Sequence, residues 1–148
     1  MLRRDYIVKL IQELGLSISR LLNTEKPKPE KQQEIEAMYN LFGADKDFFR
    51  SASNYEIFST IVENLEIICG CRREDLTNAQ ISDVVDKLAT LYYLDLLNSD
   101  LSGSQVVDVA QRALFSFECA QNLSDTYSAE RLARIAELRK SLKLNCPQ

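Results

Sequence analysis

Histidine is absent from the 148 residues, and with it go the commonest general base and the commonest metal ligand. Ser-His-Asp triads, Cys-His dyads, His-based zinc sites and Glu-x-x-His di-iron sites are excluded as written. Glycine (4) and proline (3) are scarce. Strands need turns, and turns draw on those two residues, so their scarcity predicts an all-α chain. No run approaches the ~18 consecutive apolar residues of a membrane-spanning helix. At the N-terminus Asp5, Lys9, Gln12 and Glu13 interrupt the apolar core that a signal peptide requires. The expected location is therefore cytoplasmic, and the four cysteines are expected as reduced thiols. Excess positive charge is also missing. The net charge is −4 and the pI about 5.0, which argues against a nucleic-acid partner, because phosphate contacts dominate such affinities.

What is present is helical periodicity in a chain long enough for one domain with its own core. Ile7, Ile11, Leu14, Ile18 and Leu21 step by 4, 3, 4 and 3 residues, a coiled-coil-like seam on a predicted first helix. Asn23 to Glu30 follow, with two prolines and no large apolar residue, and read as a linker. The chain thus divides into an N-terminal amphipathic arm (1–22), a linker (23–30) and a helical domain (31–148). Within that domain a helix from about Pro29 to Phe42 carries Ile35, Met38, Tyr39 and Phe42, with Gly43 as a left-handed cap. Ser53 and Glu56 have capping-box spacing and open the next helix. Thr77 or its neighbours cap a helix to about Asn98 whose apolar residues cover most of its circumference, the mark of a central element. A helix over about 104–122 is expected to bury Val106, Ala110, Ala113, Leu114 and Phe117, and a last one Leu132, Ile135, Leu138 and Leu142. About six or seven antiparallel helices are expected.

Cys69-Gly70-Cys71-Arg72-Arg73 invites a chemical reading. With Cys119 and Cys146 the two thiols would reach the four ligands that zinc takes, but the spacing is unlike the paired Cys-x-x-Cys units of zinc sites. Redox pairs favour two intervening residues. A helix end explains every residue of the stretch. Gly70 adopts positive φ just past the last turn, and Arg72 and Arg73 lie beside the helix carbonyls instead of forming an anion clamp. The carboxylate pairs Glu63/Glu66 and Asp83/Asp86 have the spacing of ordinary solvated helix faces. No metal and no cofactor is expected.

Residues 81 to 122 resemble a helix–turn–helix of tetratricopeptide (TPR) type: a Leu- and Tyr-rich helix precedes one with Ala110, Ala113, Leu114 and Phe117. The full repeat signature, with its Trp, Leu-Gly pair and closing proline, is absent. Across most of its length the chain resembles a family of small bacterial helical proteins. The matching positions are Asp5-Tyr6-Ile7, Leu21-Leu22 and the Gly43-Ala44-Asp45-Lys46-Asp47-Phe48-Phe49 segment. That resemblance implies a TPR-like fold and carries over no catalytic residue.

The function expected is non-enzymatic, a helical protein–protein interaction module or scaffold. Its contact residues would be Ile7, Ile11, Leu14, Ile18 and Leu21 on the arm, docking on the parent domain or on another chain, including a second copy of itself. Tyr93 and Phe115, which fall off the main stripes, would line a groove between the helices at about 79–98 and 104–122. The rival is a small-ligand binder or enzyme using carboxylates, tyrosines or Arg72 and Arg73. A DNA-binding regulator would need the last helix, with Arg131, Arg134, Arg139 and Lys140, as a basic reading face, and Glu130 and Glu137 dilute it. Membrane-surface docking through Arg3, Arg4, Lys9 and Arg20 is opposed by Asp5 and Glu13.

Overall fold

A computed structural model describes residues 3–23 and 25–145. Thr24 and Cys146, and the side chains of Arg3, Arg4 and Asp5, lie outside the described residues. The fold is all-α. Among the described residues there are seven α-helices: α1 (Arg3–Asn23), α2 (Lys28–Tyr39), α3 (Lys46–Ser51), α4 (Asn54–Cys69), α5 (Asn78–Asn98), α6 (Gly103–Leu123) and α7 (Ala129–Asn145), with 3₁₀ turns at Asn40–Phe42 and Arg73–Asp75. None is long and apolar enough to cross a membrane.

Local chemistry sets the boundaries. Pro27 caps α2 with extended geometry, and Pro29 follows in the first turn, where its missing N–H costs no hydrogen bond. α2 thus begins at Lys28, next to the expected helix start at about Pro29 and inside the segment 23–30 expected as linker. Gly43 closes the following 3₁₀ turn at φ 110°. A Cβ there would meet the Asn64 side chain at 3.0 Å, so glycine serves both the turn and the close approach. Asp45, Ser53, Thr77 and Ser102 cap α3, α4, α5 and α6, each accepting from the backbone N–H three residues on. Gln80 and Gln105 complete reciprocal capping boxes with Thr77 and Ser102.

α5 is the central helix. Ile81, Leu88, Ala89, Leu91 and Tyr92 are all inaccessible to solvent, and α1, α2, α4 and α6 all pack on it. α5 and α6 form the most extensive helix pair, and α7 closes over α6. The arm stripe turns inward. Ile7, Leu14, Ile18 and Leu21 join one continuous apolar cluster with the rest of the chain, with Ile11 partly buried beside them. α1 packs on α4, α5 and α2, so of the docking sites open to the stripe it occupies the parent domain. A Cβ at Gly15 would lie 3.7 Å from the Lys87 side chain and within 4 Å of no other element's backbone, so packing does not require glycine there.

Two stripes differ from expectation. On α6, Val109 is buried and Val106 is partly exposed, because Val106 sits in the first turn, where the helix end is less covered than its middle. On α7, Leu132 is partly exposed while Arg131 beside it is buried. The guanidinium of Arg131 donates to Asp86 and to Gln121, each at 3.0 Å, so α5 and α6 supply the polar partners that make its burial affordable.

Candidate interaction surface

The most elaborate polar site went unrecognised in the sequence. Asp95 is completely buried and accepts four hydrogen bonds: from the Tyr39 hydroxyl at 2.7 Å, from Arg50 Nε at 2.9 Å and Nη2 at 2.7 Å, and from the Ser99 hydroxyl at 2.5 Å. The paired Arg50 bonds have the bidentate fork geometry that binds carboxylates best. This junction ties α2, α3 and the end of α5 together. Next to it the Tyr92 hydroxyl donates to the Phe49 carbonyl at 2.6 Å, and Arg112 of α6 donates to the Ala52 and Ser51 carbonyls, both at 2.9 Å, at the C-terminus of α3. Burial, and then the neighbouring carboxylate, hold the Tyr39 hydroxyl well above its ordinary range. The hydrogen bond to Asp95 raises Arg50. Every buried polar side chain among the described residues has a partner. The junction is a structural tie in which the buried carboxylate, hydroxyls and guanidinium satisfy one another. The one sequence signal was a lone carboxylate inside the apolar run Tyr92 to Leu97; its partners Tyr39 and Arg50 lie 56 and 45 residues away.

The expected groove between α5 and α6 is filled, because those two helices pack directly against each other. The open groove lies between α4 and α6, with a volume of about 470 Å³. Phe58, Leu114, Phe115 and Leu123 line it, with Gln111, Glu118 and Asn122 as its polar groups. Phe115 is 37% exposed. The carboxylate of Glu118 is already engaged by Arg139 at 2.9 Å. Tyr93 does not join Phe115. It turns to α7, where its hydroxyl donates to Glu137 at 3.0 Å and its ring lies 5.1 Å from the Arg134 guanidinium. The predicted contact residues therefore separate into an inward stripe (Ile7, Leu14, Ile18 and Leu21 buried, Ile11 partly buried), an inter-helix tie (Tyr93) and an open groove wall (Phe115).

Cys-Gly-Cys ends α4. Gly70 takes φ 60°, and the Cys71 N–H donates to the Glu66 carbonyl at 3.1 Å, the six-to-one bond of a Schellman cap. Burial raises the Cys69 thiol, and the adjacent Cys71 adds to the effect; burial alone raises Cys119, in the α4–α6 groove. Raised thiols are poor nucleophiles. Among the described residues no group of three or more Cys, Asp or Glu is placed to hold a metal ion. Of the carboxylate pairs, Asp86 is tied to Arg131, and desolvation raises Asp83 against the opposing pull of Lys87. The three arginines of α7 are engaged within the chain: Arg131 by Asp86, Arg134 by Glu130 and Arg139 by Glu118. Compared with family models, curated proteins and solved structures, the chain finds no match.

Proposed function

We propose that the chain is a non-enzymatic interaction module, a TPR-like array of antiparallel helix hairpins that receives an amphipathic helix of a protein partner in the α4–α6 groove. The observation that carries this reading is the open, aromatic-walled groove itself. Its lining on α6 runs from Gln111 to Leu123, about 18 Å at ~1.5 Å per residue, or some three turns of a docked helix. Phe58, Leu114, Phe115 and Leu123 offer apolar contact, and Gln111 and Asn122 offer hydrogen bonds at the edge. The pairing of α5 with α6 and of α6 with α7 is consistent with stacked hairpins. The rival enzymatic reading has less support: in the strongest polar constellation the Asp95 carboxylate is completely buried and its bonds go to Tyr39, Arg50 and Ser99 of the same chain. The DNA-reading alternative is weakened by the ion pairs that occupy the three arginines of α7.

The test is a photo-crosslinking residue at position 115 in the full chain, irradiated in cells. One discrete protein adduct is expected, and it should disappear when Leu114→Asp is added. A second copy of the chain as the adduct would make the module a homodimer. A diffuse background unchanged by Leu114→Asp would overturn the reading.

A further inference from the structure

A second cavity, of about 640 Å³, lies between α1 and α2 beside the segment that joins them. Its volume is within the range of small-ligand sites, ~300–1,000 Å³. Leu21, Ala37 and Met38 form the apolar part of its lining, and Ser17, Arg20, Lys26 and Glu34 the polar part. The two lysine and glutamate charges cancel, because the Lys26 ammonium is bonded to the Glu34 carboxylate. Arg20 differs. It is exposed and has no hydrogen-bond or ion-pair partner among the described residues, in a fold that engages Arg50, Arg112, Arg131, Arg134 and Arg139 internally. Ser17 lies one turn before Arg20 on the same helix, so a hydroxyl donor and a guanidinium fork face one opening.

An unpaired cation beside an apolar floor selects an anionic head joined to an apolar tail. We propose that the α1–α2 cavity binds a small amphiphile of this kind, its anionic group on Arg20 and Ser17 and its alkyl chain along Leu21 and Met38. Carboxylate and phosphate monoester heads share the chemistry that the guanidinium recognises. Because the lining comes from both helices, the ligand also bridges α1 to α2, and its binding favours the docked position of α1 by mass action.

The test is isothermal titration of the full chain with decanoate and with decyl phosphate, each below its aggregation concentration, and with decanol as the uncharged control. Binding on the order of 100 µM is expected for at least one anion, from the usual contribution per ligand atom. Arg20→Gln, at an exposed position, is expected to weaken it by about tenfold or more, the effect of losing a charge-assisted hydrogen bond. Ala37→Trp, also at an exposed position, fills the cavity and is expected to abolish binding. The stronger of the two anions identifies the head group. Absence of binding to both anions at millimolar concentration, equal affinity in Arg20→Gln, or decanol binding as tightly as the anions would each overturn the proposal. The photo-crosslink at position 115 reads a separate groove, so either result leaves the other standing.

Discussion

Asp95 holds α2, α3 and the end of α5 through four directional bonds to three side chains. α1 covers the same core with no side-chain hydrogen bond or ion pair to another element among the described residues; its buried contacts are Ile7, Leu14, Ile18 and Leu21. Both regions belong to the interior, but they differ in kind. Directional bonds specify a single geometry, and breaking one leaves a buried group unsatisfied. Apolar contact is non-directional, and it can be lost and regained as a unit when a helix lifts. A helix held this way is suited to respond to a partner or a ligand, and a junction like that of Asp95 is suited to stay fixed while it does.

The largest effect that would sharpen this contrast comes from Asp95→Ala. It leaves the Arg50 guanidinium and the Tyr39 hydroxyl without their acceptor in the interior, and a loss of about 3–5 kcal/mol is expected, as for other broken buried pairs. Urea denaturation checks it; a loss below ~1 kcal/mol would reduce the junction to a bystander. Leu14→Ala, at a position 1% exposed, is expected to cost about 2–5 kcal/mol of α1 docking. Its signature is different: amide exchange in α1 accelerates while α5 keeps its protection. Equal acceleration in both helices would break the comparison, because α1 would then open only with the whole fold.

The smallest effect is alkaline. The Tyr39 hydroxyl is held above its ordinary range by burial and then by Asp95, and Tyr92 is raised by burial. The fold therefore binds these protons more tightly than the unfolded chain does. The associated stability is complete below the unfolded tyrosine value of ~10 and falls as pH rises beyond it. Helicity followed by circular dichroism is expected to melt at lower temperature above about pH 10. Tyr39→Phe is expected to flatten that dependence at a neutral-pH cost of about 1 kcal/mol for the lost hydrogen bond. An unchanged slope in Tyr39→Phe would remove Tyr39 from the alkaline transition.

Much of the helical framework was legible because its signals are local. Gly43, Ser53, Gly70 and Thr77 act within three to five residues of themselves, and the apolar circumference of α5 marks it as central without reference to any neighbour. Which element covers which face was not legible. Val106 and Val109 both lie near the α6 stripe, and only the packing separates them. Arg131 reads as a surface cation until Asp86 and Gln121 are brought to it. The open groove was expected one helix pair away from where it lies, because periodicity says that a face is apolar and not whether a neighbour fills it. Phe115 was legible as an off-stripe aromatic; its neighbour Phe58, on another helix, was not.

Native-state hydrogen exchange on the full chain tests the central contrast most directly. The amides of α1 are expected to exchange through an opening that leaves α5 and the Asp95 junction closed, at a free energy clearly below that of global unfolding. Protection in α1 equal to that in α5, with the same denaturant dependence, would contradict the separable helix.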